Sequence, residues 1–261
     1  AAAAGAARAA AETKGATPSL PDWTKQLGPG VGDKPYGAPS PHEKHIVRRT
    51  VDWLTASKES SVSFTPIAEQ IGIITPSGLH FERHHAGRAD VDPKQHRLIV
   101  HGLVDRAMNF SLADIRRFPS ASVVRFIECP ANGGMEWRGA QLERAQYVRG
   151  MISCSEWTGV TLRTLLRETG LKPTAKWMLA EGADAAAMTR SVPIEKVLDD
   201  AMICYGQNGE AIRPEQGYPL RLLLPGWEGN MSVKWLRRLE FGDQPWHTRE
   251  ETSKYTDLLA D

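Results

Sequence analysis

From residue 76 onward, short apolar runs alternate with short helical ones, and their order restricts the folds open to the chain. Arg97–Gly102, Val123–Glu128, Trp177–Ala180, Arg221–Leu224 and Lys234–Phe241 read as strands. Ser111–Phe118 predicts a helix capped by Ser111, and Thr161–Glu168 a second one stopped near Gly170. Pro193–Asp200 predicts a third, opening on proline where a helix tolerates it. These segments do not repeat as strand–helix–strand units, so a mixed α+β fold is expected and not a doubly wound sheet. With no internal repeat, G-x-G-x-x-G or Walker loop, nothing points to a nucleotide-binding fold.

The 261 residues, 41% hydrophobic, suffice for a covered core. A net charge of +1 gives no electrostatic reason to expect nucleic acid or an anionic membrane as partner. No segment approaches the ~18 uninterrupted apolar residues of a spanning helix. Cys129, Cys154 and Cys204 are too few for a disulfide framework, and no Cys-x-x-Cys pair points to zinc or an iron–sulfur cluster. Cys154 and Cys204 are expected to pack as small hydrophobes, their pairing left open. Ala1–Ala16 lacks the apolar stretch of an intact signal peptide; the end left by a cleaved export signal and a disordered tail both fit. Six prolines between Pro18 and Pro41 predict an extended arm over residues 1–42. Val47, Val51 and Leu54 predict a helix over Glu43–Ser57.

Three segments can carry chemistry. In Val123–Trp137 a strand runs into Cys129, and Pro130, Asn132, Gly133 and Gly134 then turn the backbone. Such a cysteine is held rigidly with room beside its sulfur, and thiolate sulfur suits a redox metal. The same pattern also fits an inert buried cysteine. In Thr75–Gly87, Arg83 and His85 fall on one face of an extended chain and His84 on the other, so the first two can grip an anion. A solvated basic loop fits as well. In Glu215–Glu240, a strand from Arg221 ends at Pro225-Gly226, and a second begins near Ser232-Val-Lys-Trp after a glycine-rich turn. Backbone N–H groups in that turn can approach an anion flanked by Arg221 and Lys234, although a hairpin with exposed charges has the same pattern.

Taken together, these segments resemble the molybdenum domain of the sulfite oxidase family over most of residues 72–256. The landmarks are the Phe-x-Arg-x-His run at 81–85, Cys129 with Asn132 behind it, and Glu156-Trp-Thr-Gly-Val160. Gly182-x-Asp184, Asn208-Gly-Glu210 and the block from Gly217-Tyr-Pro-Leu-Arg to Val233-Lys-Trp-Leu follow in order. The resemblance implies the family's own mixed-sheet, α+β molybdopterin-binding domain over residues 43–261. It implies a molybdenum–molybdopterin cofactor, one per chain, with Cys129 as the protein thiolate on the metal. Contacts to the pterin and its phosphate would fall on Phe81, Arg83, His85, Asp184, Arg221, Ser232, Val233 and Lys234. Tyr255 matches the family's tyrosine near the metal, and Cys129, Tyr255 and Arg83 would carry the catalysis. Alone, Tyr255 fits a surface tail residue equally.

Departures from the family pattern bear on substrate. Gly133 and Gly134 stand where sulfite oxidases proper carry an arginine pair, and Gln216 stands for the usual histidine before Gly-x-Pro. Less charge and more space imply a larger, less charged sulfur substrate than free sulfite. Within the family, Glu181–Ala185, Arg190–Pro193, Asn230-Met231 and Glu250–Thr256 resemble the sulfane dehydrogenase type of the thiosulfate-oxidising system. That type implies oxygen-atom transfer to sulfane sulfur on a carrier protein (or to a small sulfur oxyanion), a c-type cytochrome as electron acceptor, and a periplasmic enzyme exported folded with its cofactor. The family's immunoglobulin-like dimerisation domain is expected to be absent from this chain. A periplasmic sulfoxide reductase of the same superfamily and a metal-free scaffold are the competing expectations. Trp137 and Trp157 are candidate channel walls, with core packing the alternative for each.

Overall fold

A computed structural model of the chain describes residues 21–22, 39–50, 55–138, 144–253 and 255. The chain divides into units 1–43 and 44–261. Of the first, the described residues include a 3-10 turn at Pro41–Glu43; most of the expected arm, and all of the Ala1–Ala16 tail, lie outside the described residues.

The second unit runs β1 (Arg49–Thr50), β2 (Val62–Phe64), β3 (Glu82–Arg83), β4 (Leu98–Gly102), β5 (Met108–Phe110), α1 (Leu112–Ile115) and β6 (Ala121–Glu128). It continues with α2 (Ala145–Arg149), β7 (Ile152–Thr161), α3 (Leu162–Thr169), β8 (Trp177–Gly182), β9 (Thr189–Pro193), α4 (Ile194–Asp199) and β10 (Met202–Gln207). It closes with β11 (Glu210–Ala211), β12 (Arg221–Leu223), β13 (Leu236–Gly242) and α5 (Arg249–Ser253).

Among the described residues, the strands form three sheets. One is β1-β2-β3; the second is β11-β10-β7-β6, with β12 also on β10; the third is β5-β4-β13-β8-β9. The third sheet is mixed, because β4 and β13 pair in parallel while its other pairs are antiparallel. The mixed α+β expectation is met. The predicted caps are also found. Ser111 makes a reciprocal capping box with Asp114, Thr161 accepts from Thr164 N, and Gly170 closes α3.

Two expectations need correction. The described residues within 43–57 form no α-helix: Arg49 and Thr50 pair with Phe64 and Ser63 of β2, and positions 51–54 lie outside the described residues. Ile46, Val47 and Thr50 are β-branched and favour an extended chain that can lie along a sheet edge. The second strand of the Glu215–Glu240 block begins at Leu236, not near Ser232. Trp235 has φ +51, which breaks the extended path, and its indole N–H donates to Pro214 O at 2.9 Å. β12 and β13 therefore belong to different sheets and form no hairpin.

Two apolar cores fill the unit. One gathers Leu98, Val100, Leu165, Met178, Leu222 and Leu239 with their neighbours. The other gathers Phe64, Phe81, Ile127, Cys129, Trp157 and Cys204 with theirs.

Candidate active site

Ends of strands from all three sheets converge on one cavity that opens to solvent. Phe81, Arg83 and His85 border it from β3 and the residues beside it, Cys129 from the end of β6, and Asp184 from the turn after β8. Arg221 borders it from β12, Ser232, Val233 and Lys234 from the segment before β13, and Tyr255 from just beyond α5. Every residue expected to touch metal, cofactor or substrate borders this single space.

Cys129 is held by backbone. Its N–H donates to Met151 O at 3.0 Å, and its carbonyl accepts from Asn132 N at 2.9 Å. Asn132 then locks the loop, accepting from Met151 N at 3.1 Å and donating to Glu128 Oε1 at 2.9 Å. Burial pushes the Cys129 thiol up, while a backbone hydrogen bond at Ala131 and the Arg83 charge pull the other way. A Cβ on Gly133, whose φ is +80, would press on the Arg149 guanidinium, whereas Gly134 looks onto open space. Arg149 is in turn ion-paired with Glu136.

The opposite wall is cationic. Lys234 Nζ donates to Arg83 O and Glu215 O, each at 3.1 Å, and to His84 Nδ1 at 2.9 Å. No carboxylate is among these partners, and burial lowers the lysine's pKa well below its usual value. Arg221 lies within van der Waals depth of the same wall, 4% exposed; its Nη1 donates to Gln216 O and Oε1, and its Nε is buried with no partner among the described residues. Asp184 supplies an acceptor, its Oδ1 turned back to Met188 N at 3.0 Å. The Tyr255 hydroxyl lies 3.5 Å from His85 Nε2, and burial and the Cys129 charge push the phenol up to about 12.

His84 corrects the face assignment: β3 ends at Arg83, alternation stops there, and Arg83, His84 and His85 all border the cavity. His84 is buried between Lys234 and Glu82, whose Oε2 lies 2.8 Å from Nε2. With Nδ1 accepting from the lysine, Nε2–H donates to Glu82, and the ring is neutral. Glu82 in turn pairs with Arg48, so the segment before β1 braces the cavity wall. Met188 and Trp235 also border the cavity and were not singled out beforehand. Both are apolar, and only their neighbours, Asp184 and Lys234, carry a chemical signal. Gln216, noted as a departure, is buried beneath the site and donates to Phe81 O at 2.8 Å.

Trp157 is fully buried, donates to Arg125 O at 3.2 Å and carries Arg221 over its face at 5.2 Å. It is core. The side chain of Trp137 lies outside those described. Cys129, Cys154 and Cys204 are all free thiols.

The family profile described as "Oxidoreductase molybdopterin binding domain" matches residues 85–250. A nitrate reductase [NADH] of Ulva prolifera is 32% identical over 188 residues, 66% of this chain and 22% of that protein. The sulfite oxidase of Gallus gallus is 29% identical over 221 residues, 77% of this chain and 47% of that protein. The crystal structure of the sulfane dehydrogenase SoxCD from Paracoccus pantotrophus has a TM-score of 0.88 at 52% identity, covering 92% of this chain and 61% of that one. The chain thus spans less than half the length of these two curated relatives and about three-fifths of the structural neighbour's chain.

Proposed function

The chain belongs to the sulfite oxidase family of molybdopterin-binding oxidoreductases, and from that membership we propose that it oxidises a sulfane sulfur presented on a carrier protein. On this reading it passes electrons to a c-type cytochrome in the periplasm, and residues 43–261 are its cofactor domain. Among the described residues, no helix is long and apolar enough to cross a membrane.

The cavity fits the family's molybdenum–molybdopterin cofactor on three counts. Arg221 borders the cavity, and its buried Nε has no hydrogen-bond partner among the described residues, a donor that an anionic phosphate would satisfy. Among the described residues, no group of three or more His, Cys, Asp or Glu is arranged to hold a metal alone. Cys129 would therefore be a single protein ligand to a metal carried by an organic group. Lastly, the backbone of Lys234 threads between Gly182 and Gly217; an added Cβ at the first would lie 2.6 Å from Lys234 O and at the second 2.9 Å from Lys234 Cα. The Ser232–Lys234 backbone is thereby kept at the cavity.

Phe81, Arg83, His85, Asp184, Arg221, Ser232, Val233 and Lys234 would hold the phosphorylated pterin. Bound there, the cofactor supplies two-electron oxygen-atom transfer to sulfur and releases its electrons singly. The protein's own part is to hold Cys129 Sγ rigid, to keep water out with Phe81, Met188 and Trp235, and to set the Tyr255 hydroxyl toward the entering sulfur. The observation that carries the substrate assignment is the glycine pair beyond Cys129. Gly133 and Gly134 stand where sulfite oxidases proper carry an arginine pair, and the 52% identity to a sulfane dehydrogenase over 92% of this chain supports a sulfane sulfur over free sulfite.

The test is metal analysis with a substrate panel on the full chain. Molybdenum near one per chain is expected in the wild type and its loss in Cys129→Ser. Cytochrome c reduction is expected with a carrier-bound persulfide, and methionine sulfoxide is expected not to oxidise reduced viologen in a separate assay. Reduction by sulfite at an equal kcat/KM would refute the carrier assignment, and full molybdenum in Cys129→Ser would remove that thiolate from the metal.

A further inference from the structure

Arg190 stands behind the cavity wall and has no part in the chemistry above. It lies within β9, paired with Ala180 of β8, and is 4% exposed. Three separate parts of the chain meet its guanidinium. Nε donates to Met231 Sδ at 2.8 Å, and the same nitrogen lies 3.4 Å from Glu251 Oε1 of α5. The Tyr255 ring stacks on it, with 5.0 Å from the guanidinium carbon to the ring centroid. Its Nη1 is buried with no hydrogen-bond partner among the described residues.

The support is rigid. Glu251 Oε1 also accepts from Ser191 N at 2.8 Å and Oε2 from Thr248 N at 3.3 Å, so the carboxylate is shared and cannot follow the arginine. A desolvated guanidinium that is only partly neutralised keeps its positive face for the ring, and a planar cation matches a planar ring where an ammonium would not. The backbone N–H of Tyr255 donates to Glu250 O at 3.1 Å. Its ring is set by Arg190 beneath and His85 at the hydroxyl.

We infer that Arg190 is a positioning residue that pins the Tyr255 ring in the cavity wall and so fixes where its hydroxyl stands beside His85. The inference rests on the reading of Tyr255 as a group facing the reacting sulfur. Arg190 touches the tyrosine and not the cavity, so its loss acts on turnover and not on substrate capture.

The experiment uses the full chain with 3-fluorotyrosine placed at 255, observed by fluorine NMR in cofactor-free protein, alongside steady-state kinetics of the loaded enzyme with its best substrate from the panel. In Arg190→Met the resonance is expected to shift and change width as the ring gains rotamers, and Arg190→Lys to recover part of the change. In the loaded enzyme, kcat is expected to fall about ten-fold with KM held within about two-fold, and Y255F/R190M to be no slower than Y255F. An unaltered resonance in Arg190→Met, or losses that add in the double variant, would overturn the inference. If Y255F alone leaves kcat unchanged, the reading of Tyr255 fails while the resonance still decides the role of Arg190. Should Arg190→Met not fold, Glu251→Gln together with Arg190→Lys gives the same comparison, with a shifted resonance expected in both and an unchanged one contrary.

Discussion

Lys234 and His84 form a close polar contact in the cavity wall, and their pairing has a consequence for pH. His84 Nδ1 accepts from the ammonium, so protonating the ring would set two cations 2.9 Å apart in a buried place. Burial, then the charges of Lys234 and Arg83, lower the pKa of His84 to about 3. His80, fully buried edge-on to Trp157, is lowered to about 3 by burial and by Arg221. In the unfolded chain both titrate near about 6.5. The unfolded state thus binds more protons between those values, so the stability from keeping these rings neutral is fully present above pH ~6.5 and declines as pH falls toward 3. Each ring removes about 1.4 kcal/mol per pH unit across that window. Denaturant unfolding between pH 7 and 5 is expected to show this slope, and His84→Gln to reduce it by about one proton. An identical slope in the variant would mean that His84 titrates as in water.

At the scale of the element, the strand ends aim the site and the glycines beside them set how closely they approach. Gly217 has φ +110, a conformation L side chains rarely adopt, and a Cβ there would lie 2.9 Å from Lys234 Cα. Gly209 offers the control, because its φ is +77 in the tight β10–β11 turn but nothing lies within 4 Å of an added Cβ. Gly217→Ala and Gly209→Ala are each expected to lose about 1–3 kcal/mol of stability from backbone strain. Only Gly217→Ala, which also pushes on Lys234, is expected to lose molybdenum in the purified folded protein. Equal metal content in the two would disprove the cradle. The same elements explain how far the chain could be read in advance. β4, β6, β8 and β13 carry continuous or alternating apolar runs, and the capped helices carry Ser111, Thr161 and Gly170, so both were legible. β7, the long central strand, was not. Its inward positions include Ser153 and Ser155, whose hydroxyls are satisfied by Phe81 N and Thr65 and by Gln207, and that burial has no hydrophobic signature. Over Glu43–Ser57 the described residues pair as a strand at Arg49–Thr50, where pairing with β2 and the β-branched Ile46, Val47 and Thr50 outweigh the helical spacing. Arg83, Cys129, Arg221 and Lys234 were readable from resemblance and from charge beside turns. His84 and Arg190 act through neighbours that only the tertiary fold supplies.

On the scale of the whole second unit, the cavity lies where two apolar cores meet. Met231 and Val233 belong to one core and Phe81 and Cys129 to the other, and all but Met231 border the cavity. Across it stand Arg83, Arg221 and Lys234, with Asp184 the carboxylate among the residues bordering the same space. Like charges converging on one cavity wall repel, at an electrostatic cost that an anionic ligand would reduce. A ligand seated there also joins the two cores, since its contacts come from both. Binding to the folded state alone stabilises by RT ln(1 + [L]/Kd), which is about 4 kcal/mol at a thousand-fold excess over Kd. Protein made in a host unable to assemble the pterin is therefore expected to melt below the loaded protein. Its amide exchange is expected to quicken at residues 81–85, 129–134 and 229–235, with the β7–β10 ladder still protected, because that ladder draws on core contacts and backbone pairing and not on the cavity. Exchange that quickened uniformly would instead mean that the two cores unfold as one unit. Identical melting of the two preparations would mean that the cationic wall is already balanced without the cofactor, and the electrostatic reading of the cavity would fall with it.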